Sequence, residues 1–264
     1  MQITLIGSGN VAHFLGFLLL QHNHTIVEVY SKNFQNAQSI AIKLKSKPIA
    51  QLSDLSKKSD LYIFAISDNA LLEVANCLHL SDKLVIHTSG TVPISILAKA
   101  SNNYGVIWPM RMIRKSTIPS DPFTAIIDGS SLAVVNQLKE IATQLTNKVV
   151  LADDNQRLKM HMVASLTANF SNHLYHLAKN YCDTQKIDFE FFYSLIQESA
   201  IGIQKELPAQ LQAGPAFRGD IITIEKHLHL LNDFDQIRNV YEVLTKSILL
   251  THANSNSADS NKTI

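Results

Sequence analysis

Ile3-Thr4-Leu5-Ile6-Gly7-Ser8-Gly9-Asn10-Val11-Ala12 is the stretch on which the rest of the chain is read. Ile3 to Ile6 has the length and apolar character of a short buried strand. The residues after it, Gly7-x-Gly9-x-x-Ala12, match the dinucleotide fingerprint with the permitted alanine at its third position. Each small residue has its own task. Gly7 turns the backbone sharply off the strand. Gly9 lets a pyrophosphate approach the main chain, and Ala12 lets the following helix pack closely on the strand. That helix, expected from Asn10 to about Gln21, aims its N-terminus at the phosphates, where free N–H groups favour negative charge. Ser8, Asn10 and Val11 complete the loop as cofactor-binding candidates.

Outward from this loop, strands and helices alternate. Thr25 to Tyr30 is rich in β-branched residues and reads as the second strand. An NAD-specific fold places an acid at the end of this strand to take the ribose 2′-hydroxyl. Here Tyr30 is followed by Ser31 and Lys32, and Glu28 stands two residues too early. A hydroxyl and an ammonium at that place suit a 2′-phosphate. Ser31 or Asn33 also serves to cap the next helix. Lys43, Lys45 and Lys47 read as solvated surface.

Asp60 to Ile66 is a continuous apolar run, as expected of a parallel strand buried on both faces. Ser67-Asp68-Asn69 caps a helix to about Leu78. Lys83 to His87 forms another strand, followed by Thr88-Ser89-Gly90, and Pro93 opens a short helix. Tyr104 to Trp108 is a further strand closed by Pro109. Phe123 to Ile127, a helix from about Ser131 to Leu145, and Lys148 to Leu151 complete a first domain over 1–152. The expected fold class is α/β, a mostly parallel, doubly wound sheet of Rossmann type with an all-helical domain after it. Ligands of such sheets lie at the carboxyl ends of the strands. Ala65, Ile66, Ser67, Thr88 and Ser89 therefore join the cofactor-binding candidates, and His87 is either beside the substrate or, equally, a structural histidine bonded to backbone. Ile113 to Pro122, with Arg114, Lys115, Ser116 and Pro119, reads as an exposed loop.

From Asp153 the pattern is helical throughout, giving a second domain over 153–252 for substrate binding and dimerisation. A long helix is expected to about Tyr181, with others over Asp188–Lys205, Ile221–Leu231 and Asp235–Thr251. Residues 253–264, rich in Ser and Asn, read as a disordered tail. At 100° per residue, Val163, Leu166, Phe170, Leu174 and Leu177 share one face of the long helix, its expected core stripe. His161, Ser165, Asn169, Asn172 and His176 lie opposite. An uncharged hydrogen-bonding face where Lys and Glu normally mark solvent suits either an ordinary outer surface or the floor of a crevice. On the second reading His161 exchanges the proton that accompanies hydride transfer, and Asn169 and Asn172 are its catalytic companions. Lys159 is a rival, though its place on the apolar stripe is better explained by snorkelling. Between later helices Gln212 to Asp220 forms a stiff Gly/Pro loop. Its Arg218 can hold a substrate carboxylate bidentately, and Asp220 reads as the next N-cap.

Composition excludes several classes. The net charge of +1 gives no reason to expect nucleic acid or an anionic membrane as partner. Cys77 and Cys182, far apart, suit a reducing cytoplasmic compartment and form no zinc site. No metal is expected. The apolar run from Phe14 to Leu20 is too short to span a bilayer. No serine nucleophile elbow is present.

Taken together, the glycine loop, Ser31-Lys32, His87-Thr88-Ser89-Gly90, Asn169, Asn172-His173 and Gly214-Pro215-Ala216-x-Arg218-x-Asp220 resemble one group of proteins. These are bacterial proteins in which a Rossmann-like domain precedes a C-terminal domain of unknown function, described as NADP oxidoreductases. The resemblance covers about residues 1–252. Its first half is similar, more distantly, to pyrroline-5-carboxylate reductases, β-hydroxyacid dehydrogenases and deazaflavin-dependent NADP reductases. It implies NADP(H) as cofactor and a homodimer joined through the helical domains. Arg111, after Trp108-Pro109-Met110, stands where the group leads one to expect a neutral residue. Two functions follow: an NADP(H)-dependent oxidoreductase moving hydride to or from a small molecule, or a non-catalytic NADP(H)-binding sensor.

Overall fold

The apolar runs become strands because both of their faces are covered. The computed structural model describes residues 1–114, 116–117 and 122–259. In it β1 (Gln2–Ile6), β2 (Thr25–Tyr30), β3 (Lys47–Ile49), β4 (Leu61–Phe64), β5 (Leu84–His87), β6 (Asn103–Met110), β7 (Thr124–Gly129) and β8 (Lys148–Leu151) form one eight-stranded sheet. The order is β3-β2-β1-β4-β5-β6-β7-β8. Every neighbouring pair is parallel except β6 and β7. The expected mostly parallel α/β sheet followed by helices is what the chain forms.

Alternate residues of each strand enter different cores. Ile3, Leu5, Ile63 and Ile86 pack with Leu15 and Leu19 of α1 (Asn10–Gln21), Ile40 of α2 (Phe34–Leu44) and Leu138 of α4 (Leu132–Leu145). Ile6, Tyr62, Phe64 and Val85 pack with Leu71 and Ala75 of α3 (Asp68–Cys77) on the other face. The short edge strand β3 was not expected. It holds three residues, one of them Pro48, and an edge is where a sheet tolerates proline. β6 runs on through Pro109 to Met110 rather than closing at the proline. Its register with β5 ends at Val106, so Pro109 interrupts no ladder on that side.

After β8, α5 (Asp154–Ala164) leads through a π-helical turn (Ser165–Phe170) into α6 (Ser171–Gln185). The expected uninterrupted helix is therefore three pieces. α7 (Tyr193–Gly202), α8 (Pro208–Leu211), α9 (Pro215–Arg218), α10 (Ile221–Leu230) and α11 (Asp235–Asp259) follow. α8 and α9 are single turns in what read as connecting loop. α11 carries helix into the segment expected to be disordered, and 260–264 lie outside the described residues, as do Lys115 and Pro119 of the loop after β6.

Two compact units result, Met1–Ala168 and the remainder from Asn169. The boundary expected at 152/153 marks the end of the sheet. The units part later because α5 is bonded to the sheet domain's rim. In the second unit α10 starts on Asp220, whose carboxylate accepts from the Thr223 amide, as its place before an apolar run suggested. Tyr181 of α6 meets Phe234 edge-on with ring centroids 4.9 Å apart.

Candidate functional site

The strand order reverses between β1 and β4, and their carboxyl ends open the crevice where such sheets bind ligands. Gly7 leaves β1 with φ of +127°, and a Cβ there would stand 2.1 Å from the Ala65 carbonyl oxygen and 3.1 Å from Ile66. The residue is glycine because the turn and the neighbouring strand leave no alternative. Gly9 differs: its φ is −80°, and a Cβ on it would meet nothing within 4 Å. The space above Gly9 is open, as a ligand lying against the main chain requires.

Gly9 is also the N-cap of α1. No side chain caps the helix, and no acid stands in its first turn. Its first N–H groups are left for an anion. Asn10 reaches away, its amide donating to the Ile113 carbonyl at 3.3 Å. Ala12 is fully buried on the inner face of the helix, and Val11 is half-buried against the same core. The residues present thus fit a dinucleotide diphosphate.

Ser31 and Lys32 divide the work that the sequence assigned to them jointly. The Ser8 hydroxyl donates to Ser31 Oγ at 2.8 Å, and Ser31 is buried. Lys32 is exposed. Asn33, not Ser31, caps α2, accepting from the Asn36 amide. Glu28 is buried and accepts the Ser56 amide at 2.9 Å, so it is spent on the fold. Ser67 begins α3 without any side-chain capping bond, and Asp68 beside it accepts from the Thr91 hydroxyl at 2.5 Å.

The second half of the rim is the loop after β5. His87 is fully buried, and its Nδ1 accepts the Ser89 amide at 3.1 Å. Its other nitrogen is buried as well. Burial, and secondly the positive charge of Arg157, lower its pKa to about 4. Of the two readings of His87, a residue beside the substrate and a structural histidine bonded to backbone, the structure bears out the second: its ring is enclosed, and it shapes the loop. Ser89 Oγ accepts the amides of Thr91 and Val92, both at 3.1 Å, and Thr88 is buried beside it. A Cβ on Gly90 would collide with Cδ2 of His161 at 2.5 Å and Cε2 of Trp108 at 2.9 Å. The rings of Trp108 and His161 lie 5.5 Å apart at 43°. His161 is therefore seated against Gly90 and Trp108, on the rim of the sheet.

This placement corrects the expected faces of the long helix. Arg157, Met160, His161 and Ala164 turn toward the sheet domain, while Val163 and Leu166 are each 50% exposed and Phe170 is 58% exposed. Of the expected core stripe only Leu177 is buried. The π turn breaks the 100° phase on which the stripe was drawn. Asn169, Asn172 and Arg218 belong to the second unit, where each is exposed. Arg111 donates to the Pro122 carbonyl at 3.2 Å and lies over the Phe14 ring, 6.0 Å from its centroid. Arg157 was not anticipated. An acid and an arginine three apart in a first turn ordinarily read as a solvated pair, and nothing nearby in the sequence marks this one as buried.

Among the described residues no group of His, Cys, Asp and Glu could hold a metal, and no helix is long and apolar enough to cross a membrane. The model of the NADP oxidoreductase, coenzyme F420-dependent, family matches residues 2–90, and that of the domain of unknown function DUF2520 matches 123–248. A solved structure described as a "putative NADP oxidoreductase" from Bacteroides fragilis is 32% identical, over 94% of this chain and 97% of that one, with a TM-score of 0.87. The 1-pyrroline-5-carboxylate reductase of Streptococcus pyogenes shares the fold at 16% identity, TM-score 0.64, over 94% of this chain and 98% of that one. A reductive aminase from Aspergillus terreus, solved with NADPH and ethyl-5-oxohexanoate, shares it at 14% identity, TM-score 0.70, over 95% and 94% of the two chains. No curated protein matches the chain in sequence.

Proposed function

The chain belongs to the family of two-domain NADP oxidoreductase-like proteins that join a Rossmann domain to DUF2520, and on that premise we propose that it is an NADPH-dependent reductase of a small carbonyl or imine compound. The observation that supports this reading most is the rim itself. One edge of the sheet carries both the uncapped N-terminus of α1, open above Gly9, and a histidine seated against the β5 loop.

NADP(H) is the cofactor. The α1 amides at Gly9, Asn10 and Val11 take the diphosphate, with Gly7 making room for the turn. Lys32 pairs with the 2′-phosphate, while Ser31, held by Ser8, backs the ribose. Ala65, Ile66 and Ser67 line one side of the crevice, and Thr88 and Ser89 the nicotinamide end. Bound NADPH supplies a hydride to the carbon of a polarised C=O or C=N bond. His161 gives the proton to the oxygen or nitrogen, so that the double bond takes up H⁻ and H⁺ and NADP⁺ remains. Asn169, Asn172 and Arg218, on the second unit, are kept as polar candidates there, Arg218 for a carboxylate. His87 acts through the loop. The active form is a homodimer joined through the helical units.

Trp108 is the chain's one tryptophan. Energy transfer from Trp108 to bound nicotinamide measures binding directly. NADPH is expected to bind more tightly than NADH. Lys32→Ala should weaken NADPH about tenfold or more, the scale of a charge-assisted hydrogen bond, with NADH within about twofold. Equal affinity for the two cofactors removes the 2′-phosphate contact, and binding of neither removes the proposed function.

A further inference from the structure

α5 is bonded to the loop after β5 at two points, and one of them is a fully buried cation. Asp154, Arg157 and His161 stand at i, i+3 and i+7, one face of the helix. Arg157 is 0% exposed, although the side chain of Asp154, its ion-pair partner at 2.7 Å, is 40% exposed. The same Nη2 donates to the Val92 carbonyl at 2.5 Å. Asp154 Oδ1 accepts the Ile94 amide at 3.1 Å. A guanidinium and a carboxylate thus hold both ends of Val92-Pro93-Ile94, whose central residue has no N–H to offer. The Val92 amide is taken by Ser89 Oγ, and the Ser89 amide by His87 Nδ1. The bonds form one chain from Arg157 through Val92 and Ser89 to His87, and His161 lies further along the same helix.

A buried arginine is costly unless it fixes something that a hydrophobic residue could not. Nε and Nη1 of Arg157 are buried too, so the side chain is not a surface salt bridge that happened to sink. An apolar residue would fill the same volume without binding the Val92 carbonyl.

We propose that Arg157 is a positioning residue: by bridging Asp154 and Val92 it fixes Thr88–Ile94 against α5, and so sets the gap between that loop and His161. The inference rests on reading this rim as the nicotinamide end of the site. It commits Arg157 to no contact with substrate or cofactor.

The test separates this role from general damage and from failure of the parent reading. Hydrogen exchange on the cofactor-free protein should show Arg157→Met opening the segment 88–97 about tenfold faster, with β1 and β4 unchanged. The variant should bind NADPH about tenfold more weakly but hold 2′,5′-ADP, which lacks the nicotinamide, within about twofold. Arg157→Lys should lie between, since it restores the charge without the fork. Parental exchange in the loop overturns the inference, as does equal weakening of NADPH and 2′,5′-ADP. If Arg157→Met does not fold, Asp154→Ala removes the acceptor of Ile94 from a half-exposed side chain and must give the same pattern; a parental pattern there is equally fatal. Should the parent protein bind no NADPH, the proposed function fails while the exchange comparison still decides the role of Arg157.

Discussion

Gly7 and Gly9 stand two residues apart and are glycine for different reasons. Gly7 has φ of +127° and the Ala65 carbonyl oxygen 2.1 Å from where its Cβ would be. Gly7→Ala should cost about 3 kcal/mol or more, or prevent folding, because strain and collision add. Gly9→Ala should melt as the parent does, since its Cβ would meet nothing, yet lose NADPH affinity about tenfold because the methyl takes the space of the diphosphate. Parental affinity in Gly9→Ala would show that the diphosphate lies elsewhere. His87 sets a different dependence. Its folded pKa is about 4, lowered first by burial and then by Arg157, against the nearby Asp154 and Asp68, which raise it. The unfolded chain therefore binds the proton at a pH where the native protein does not. The native state loses stability as pH falls from about 6.5 to about 4, by about 3 kcal/mol from this one group. His87→Asn keeps an acceptor for the Ser89 amide and removes the titration. Denaturant unfolding at pH 7 and at pH 4.5 should show a smaller difference in that variant than in the parent, and an equal difference would mean His87 is not the group responsible. The glycines were legible because their constraint is local. A structural His87 was one of two readings open to the sequence, but the charge beside it was not legible, because Arg157 comes from a helix seventy positions on in the chain (157 − 87 = 70).

At the scale of elements, period reading succeeded where one regular element runs its whole length. Strands β1, β4 and β5 read as apolar runs because helices cover both faces. β3 was missed because three residues carry no period. The long helix was misread for a related reason. Its phase was carried through Ser165–Phe170, where the backbone is π-helical, and the stripe drawn on 100° steps lost its meaning there. Only α5 tells which side faces the sheet domain, through Arg157 and His161. The chemistry proposed for that face has a direct check. With a substrate found among small ketones and imines, His161→Asn should lower turnover by roughly 10²–10⁴, the range for a lost general acid, with NADPH affinity nearly unchanged. Because the Trp108 and His161 rings lie 5.5 Å apart, His161→Asn should also change the emission of the one tryptophan, and unchanged emission would mean that the two rings do not meet. Turnover near the parental rate would move proton transfer to another residue, and Lys159, exposed on the same helix, would be examined next.

At the scale of the whole molecule the second unit is short of core. Among its described residues the buried apolar side chains are Leu177, Cys182, Ala216, Ile224 and Leu231. Phe191, Leu207, Ile222, Val243 and Leu250 are each at least 67% exposed. A unit of this size buries too little surface to stand comfortably on so small a core. A second copy of the chain is the partner that such a surface fits most simply, because a two-fold interface covers the same patch on both subunits. The protein is therefore expected to run as a dimer in light scattering at micromolar concentration, and Ile222→Glu with Val243→Glu to shift it toward monomer while leaving the sheet domain's NADPH affinity within about twofold. The separation of the two effects is the informative part. If the parent is monomeric, the exposed residues need another cover. If the double variant is monomeric and NADPH binding collapses with it, the cofactor site is not complete within one chain.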